Sequence, residues 1–295
     1  MIKQWAINEE FLLQLERLQT LVKNNVAGMF GGNHQSKSFG SSCEFADYRD
    51  YVPGDDVTKI DWNTFARFEK LYLKLYLDER QMHTRIYIDA SRSMEYGDGK
   101  KALQAVQLAA ALAYLSVCET DKVSIYAVRE NRIEAVVEGI VGKDAYFASI
   151  LKLNEIEFSG DCTLSQSIIP SQLGYGDGMS IILSDFLTDN DFEGVIDCLA
   201  DKRRHVLCVQ ILSKEELLPQ TRGKVHFFDS ENASRFYRKN IDREIMAAYK
   251  KAIAYATDRI RNYCNARGGD YLLASAEVSV TEILFEKFVE MGVLK

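Results

Sequence analysis

The chain has 295 residues, 47% hydrophobic and 27% charged, which excludes intrinsic disorder and suits one large α/β domain or two small ones. A formal net charge of -7 argues against a nucleic-acid binder, and the short basic run Lys202-Arg203-Arg204 is expected at a solvated helix end. The 6 cysteines lack a C-x-x-C pair and the 4 histidines are dispersed at expected surface or strand-end positions, so no zinc pattern arises and the cysteines read as buried small hydrophobes in a reducing cytoplasm.

From Asn8 to Lys23 apolar residues recur at Phe11, Leu15, Leu18 and Val22, which predicts a packing helix capped by Asn8. Gly28 to Ser42, with Gly31-Gly32 and several serines, reads as a flexible connection. Next comes Phe45-Ala46-Asp47-Tyr48-Arg49-Asp50-Tyr51-Val52-Pro53-Gly54-Asp55-Asp56-Val57-Thr58-Lys59-Ile60-Asp61-Trp62, followed by Ala66-Arg67. Pro53-Gly54 places a tight bend there, Pro fixing one central torsion and Gly supplying the positive one of a type II turn. Asp55, Asp56 and Asp61 lack the calcium-loop spacing and a bidentate Glu at its twelfth position, so an EF-hand is excluded. Asp56 or Asp61 is instead expected to accept backbone hydrogen bonds or to pair with Arg49 or Arg67, and Trp62 to bury its ring against a sheet. Leu71 to Leu77 alternates as an amphipathic strand.

Beyond it the pattern becomes regular: strand 84–89, helix 99–119, strands 122–128 and 132–140, helices 143–153 and 163–173, strand 179–184, helix 191–202 and strand 205–212. Strands 224–229 and 234–239 read as an edge hairpin around Ser230-Glu231-Asn232, before helix 242–267, strand 270–274 and helix 279–291. Strands separated by helices predict right-handed crossovers and a mostly parallel sheet flanked by helices, a Rossmann-like α/β architecture. The helix from Lys100 is apolar nearly all round, as in a central core helix. Gln104 and Gln107 interrupt it, and it is expected to fall short of a membrane span; without a charged-then-apolar leader the chain is expected in the cytoplasm.

Asp89-Ala90-Ser91-Arg92-Ser93 directly follows the apolar strand Ile86-Tyr87-Ile88. One carboxylate and two hydroxyls at alternate positions in a strand-to-loop turn aim three oxygens at one point. Such oxygens suit a hard divalent cation, Mg2+ first, with Mn2+ or Ca2+ as alternatives. Thr163 and Asp185 stand at the ends of later elements, where loops converge outside the carboxyl ends of an open sheet. Helix capping by Ser91, Ser93 and Asp185 explains each residue singly but not their coincidence. Three enzyme patterns fail at this locus. A phosphoaspartate enzyme needs a second Asp where Ser91 stands, a P-loop needs Gly where Met94 stands, and no G-x-S-x-G occurs.

Asp89, Ser91, Ser93, Thr163 and Asp185 together resemble the metal-ion-dependent adhesion site of von Willebrand factor type A domains, in its usual chain order. That pattern usually has Gly two residues before the Thr, and here the position is Asp161, with Gly160 one further back. The upstream segment, with Arg49, Pro53, Gly54, Asp55, Asp56, Asp61, Trp62 and Arg67, is similar to the hallmark of the "domain of unknown function 58" family, in which it runs directly into a type A domain. The resemblance implies residues 1–79 as an N-terminal helix, linker and signature segment packed on a type A-like domain of residues 80–295. It also implies a MoxR-type AAA+ ATPase partner in a chaperone-like or complex-assembly system. The expected function is therefore a non-enzymatic, metal-dependent protein-interaction module. Metal-dependent hydrolysis by the same residues and a metal-free scaffold are the alternatives.

Overall fold

The computed structural model describes residues 6–23, 35–39, 45–79, 82–95, 98–168, 178–187, 191–219, 223–228 and 236–284. They belong to two compact units, one of Gly31–Gln81 and one of Met1–Phe30 with Met82–Lys295. His34, Cys43, the turn at Ser230-Glu231-Asn232 and the distal parts of the helices expected over 163–173 and 279–291 lie outside the described residues.

The first elements are α1 (Glu9–Lys23), β1 (Gln35–Phe39), β2 (Phe45–Asp50), a 3-10 turn at Val57–Lys59, α2 (Trp62–Phe68) and β3 (Tyr72–Glu79). After them come β4 (His83–Asp89), α3 (Arg92–Glu95), α4 (Lys100–Cys118), β5 (Lys122–Arg129), β6 (Arg132–Ile140) and α5 (Lys143–Ser149), which tightens into a 3-10 helix at Ile150–Glu155. The remainder is α6 (Leu164–Ser167), β7 (Gly178–Ser184), α7 (Phe192–Asp201), β8 (Arg204–Leu212), α8 (Lys214–Leu217), β9 (Gly223–Phe228), β10 (Phe236–Ile241), α9 (Arg243–Ala266) and β11 (Asp270–Ser275), with residues 280–284 again helical.

In the larger unit six strands run in the order β11-β8-β7-β4-β5-β6. All neighbours are parallel except β5 and β6. Alternate residues face opposite ways, as the pleat requires. Ile86, Ile88, Ile181, Leu183, Leu207 and Val209 join α1 and α4 in one core cluster, while Tyr87, Ile182, Val206 and Cys208 join α7 and α9 in the other. The order reverses at β4, which lies between β5 and β7, so a crevice opens at its carboxyl end.

Four expectations are corrected in this unit. The N-terminal helix does not belong with the signature segment: Ile7, Phe11 and Leu15 lie in the core beside α4, and Asn154 bonds both the amide and the carbonyl of Ile7 at 3.0 Å. Its expected Asn8 cap is present, accepting from the Phe11 amide at 2.8 Å. Second, α4 is long and apolar enough to cross a bilayer, yet most of it is buried in the unit, where Gln104 and Gln107 donate to the carbonyls of Val278 and Ala6. Third, Arg204 is a buried strand residue and not a solvated helix end, because its guanidinium donates to the Ser180 hydroxyl and to the carbonyls of His83 and Met179. Fourth, the β9–β10 hairpin is a separate two-stranded sheet and not an edge of the main one. Among the other cysteines, Cys162, Cys208 and Cys264 are buried as expected, and Cys118 and Cys198 are half-buried.

The smaller unit is a three-stranded antiparallel sheet in the order β1-β3-β2, with β1 formed inside the stretch expected to be a linker. Pro53-Gly54 makes the expected bend: the Asp55 amide bonds the Val52 carbonyl at 3.0 Å, and Gly54 takes a φ of 108°. Arg49 pairs with Asp55 at 2.8 Å, whereas it was expected to reach Asp56 or Asp61. Asp56 caps the 3-10 turn through the Thr58 amide at 3.0 Å, and Asp61 caps α2 through the Asn63 amide at 3.0 Å. Trp62 is not buried: it is 60% exposed and meets Phe65 edge-on at 6.1 Å. The inward positions beside it are taken by Ile60 and Leu73, which face each other across a β-bridge, and by Asp61 itself.

Candidate metal site

Strand β4 ends at Asp89 and delivers its carboxylate to the crevice mouth. Asp89 Oδ1 accepts the Ser91 amide at 3.0 Å, and Oδ2 accepts the Ser184 hydroxyl at 2.5 Å. Ser184 ends the neighbouring strand β7 and also accepts the Phe186 amide at 3.0 Å, so one hydroxyl couples both strand ends. The hydroxyls of Ser91 and Ser93 hydrogen-bond to each other at 3.0 Å. Asp89, Ser91, Ser93 and Asp185 are all buried.

Among the described residues Asp89 meets hydroxyls and an amide but no cationic side chain. Burial chiefly, and then the negative charge of Asp185, push its carboxyl up to about 6 against the opposing bonds from Ser184 and Ser91. A buried carboxylate without a cation is costly, and pairing or metal coordination is the usual remedy. Adjacent ligands of an octahedral Mg2+ stand about 3.0 Å apart when each lies at about 2.1 Å from the ion. The Ser91–Ser93 spacing matches that edge, and the donor set of one carboxylate and two hydroxyls is hard. These three residues therefore fit a divalent cation. Among the described residues no group of three or more His, Cys, Asp or Glu forms a metal-holding cluster, so the hydroxyls are essential to that fit.

Thr163 is carried by a loop tied to the end of β4. The Arg92 amide bonds the Gly160 carbonyl at 3.0 Å, the Ser159 amide bonds the Ala90 carbonyl at 2.9 Å, and the Glu130 amide bonds the Asp161 carbonyl at 2.9 Å. Gly160 has a φ of 70°, and a Cβ there would stand 2.9 Å from Glu130 Cγ. The glycine displaced from the type A position thus serves this loop from one residue earlier. Thr163 begins α6 without a side-chain capping bond; its amide donates to Asn131 Oδ1 at 3.1 Å.

Asp185 is engaged on every oxygen. Oδ1 accepts the Leu187 amide at 3.1 Å, Oδ2 accepts Lys101 Nζ at 2.9 Å, and its carbonyl accepts Gln210 Nε2 at 2.8 Å. The next residue, Phe186, holds a φ of 52°, a left-handed conformation uncommon for a bulky residue, and its buried ring packs in the cluster of Tyr87 and Phe192. Lys101 is buried near the start of α4 and also meets Glu216 Oε1 at 2.7 Å. Burial works against its charge, but Asp185 and Glu216 outweigh burial and its pKa is raised. The structure therefore sets Ser91 against both Asp89 and Ser93, places Asp185 next in the chain to Ser184, whose hydroxyl bonds Asp89, and sets Thr163 on the adjoining loop. Ser184, Lys101 and Glu216 had not been singled out; a second lysine opening an otherwise apolar helix was the available signal for Lys101.

Three curated mycobacterial proteins, among them uncharacterized protein Mb1516 of Mycobacterium bovis and uncharacterized protein Rv1480 of Mycobacterium tuberculosis, are 24% identical over 226 residues, covering 74% of this chain and 70% of theirs. Among solved structures the chain is similar to the SpRpn10 VWA domain, with a TM-score of 0.38 and 9% identity over 70% of this chain and 95% of that one. It is also similar to the D319A mutant of the PilB minor pilin from Streptococcus sanguinis, with a TM-score of 0.35 and 11% identity over 75% of this chain and 64% of that one. The mostly parallel sheet flanked by helices is the Rossmann-like α/β architecture that the residues led us to expect. The model for proteins of unknown function DUF58 matches residues 47–259, and the chain belongs to that family.

Proposed function

We propose that this protein is a non-enzymatic interaction module whose binding face is a divalent-cation site at the carboxyl end of β4. Asp89, Ser91 and Ser93 would hold the cation, Mg2+ by preference, with Thr163 and Asp185 bordering it. When bound, the cation supplies an electrophilic centre that accepts a carboxylate from another protein. Asp89 brings a negative charge fixed in direction by Ser91 and Ser184, and the two serines bring neutral oxygens that leave the cation's charge largely intact. The observation that carries this reading is a buried carboxylate with no cationic partner among the described residues, beside two hydroxyls 3.0 Å apart. The family resemblance makes a MoxR-type AAA+ ATPase, or its client, the partner to try first.

The test is calorimetric titration with Mg2+ and Mn2+, followed by capture of the candidate ATPase in Mg2+ and in chelator. Wild-type protein should bind either ion weakly. Asp89→Ala should abolish that binding while the far-ultraviolet dichroism is kept, and chelator or Ser93→Ala should release the partner. Equal ion binding by wild type and Asp89→Ala would overturn the site.

A further inference from the structure

Lys101 stands where helix physics disfavours it. It is the second residue of α4, where the helix dipole repels cations, and it is buried, whereas neighbouring Lys100 turns out to Asp98 at 2.7 Å. A buried lysine persists only when paired. Its partners are built to receive it: Glu216 Oε2 accepts the Ser213 amide at 2.7 Å, Ser213 Oγ accepts the Glu216 amide at 3.2 Å, and Tyr249 donates to the Glu216 carbonyl at 2.9 Å. One ammonium thus joins α4, the loop after β7 and α8.

We propose that Lys101 sets the charge of the candidate site: by holding Asp185 Oδ2 it withholds that carboxylate from the cation, which keeps charge to accept a carboxylate from another protein. This deepens the reading above and rests on it. A doubly charged ion facing Asp89 alone retains one formal charge, and one facing both carboxylates retains none. The second case has little attraction for an outside anion. Lys101 also offsets part of the charge of Asp185 without occupying the position between Asp89, Ser91 and Ser93, since among the described residues its Nζ bonds Asp185 and Glu216. It is a positioning residue, acting on the ion through Asp185.

Mn2+ is titrated by calorimetry into wild type, Lys101→Met and the double variant Lys101→Met with Asp185→Asn, and acetate serves as the carboxylate probe through its effect on Mn2+ water-proton relaxation. Lys101→Met should bind Mn2+ about tenfold tighter or more, because a freed Asp185 joins the site, and should respond to acetate about tenfold more weakly than wild type. Mn2+ affinity equal to wild type in folded Lys101→Met overturns the proposal. Should the uncompensated Asp185 prevent folding, the double variant, which removes both charges together, should keep wild-type Mn2+ affinity; about a tenfold loss there would mean that Asp185 is itself a ligand and overturns it equally. Absence of Mn2+ binding by wild type would sink the metal-site reading. In that case binding gained in Lys101→Met and abolished by Asp89→Ala would still uphold the role of Lys101, and no gain would end it.

Discussion

Asp61 gathers four donors onto one carboxylate: the Thr64 hydroxyl at 2.7 Å, the Tyr48 hydroxyl at 2.8 Å, the Asn63 amide at 3.0 Å and Lys74 Nζ at 3.3 Å. These bonds, that of Thr64 foremost, hold its carboxyl well below the usual carboxylate range. Trp62 beside it is largely exposed and touches mainly Phe65. Asp61→Ala should therefore lower the thermal midpoint clearly, since it uncaps α2 and removes the acceptor of two hydroxyl bonds, whereas Trp62→Ala should change stability by no more than about 0.5 kcal/mol, as ordinary surface substitutions do. Thermal unfolding of the two variants checks the order, and a larger effect at Trp62 would reverse it. That Asp61 accepts a backbone hydrogen bond was legible as one of two readings, pairing with Arg49 or Arg67 being the other. The orientation of Trp62 was not, because helix phase within a seven-residue element is set by its neighbours Ile60 and Leu73, and no periodicity that short reveals it.

At the scale of elements, the amino ends of β4, β7 and β8 are bound together by Arg204, and His83 shares that end, 2.9 Å from the Ser124 hydroxyl. Burial first, and then the positive charges of Arg85, Arg204 and Lys122, lower the His83 pKa from 6.5 to about 4. The unfolded chain consequently takes up this proton at higher pH than the folded one. The contribution of neutral His83 is complete above about 6.5 and is lost as pH falls toward about 4. Asp121, raised to about 6 chiefly by burial, acts in the opposite sense over part of the same window. In His83→Gln the fall in urea midpoint between about pH 7 and about pH 4.5 should be smaller than in wild type; an equal fall would show that His83 titrates normally. The alternation of β4 to β11 with α4, α7 and α9 was readable because those helices are long and periodic. Strands β1 and β2 and helix α2 were not, being short. The same division runs through the site: Asp89, Ser91 and Ser93 lie within five residues of one another, but Ser184 reaches Asp89 from 95 residues away and Lys101 reaches Asp185 from 84. Such pairings depend on sheet order, which no local pattern specifies.

At the scale of the whole molecule, the chain enters its larger unit twice, since Met1–Phe30 belongs with Met82–Lys295 and the intervening Gly31–Gln81 forms a unit of its own. A boundary drawn at the signature segment, as linear order suggests, therefore cuts the core. Ile7, Phe11 and Leu15 are buried beside α4, and the Ala6 and Ile7 backbone groups satisfy Gln107 and Asn154. Removing three such apolar side chains forfeits on the order of 5 kcal/mol of burial, taking each at the lower end of the usual range. That loss is comparable with the entire stability of many domains, and it leaves two half-buried side-chain amides without these partners in addition. A fragment of residues 82–295 should thus be insoluble or melt far below the full chain, and within the full chain Phe11→Ala should lower the midpoint while Trp62→Ala does not. If the fragment melted within a few degrees of the full chain, α1 would be dispensable to the core, and the boundary implied by the family resemblance would be the correct one.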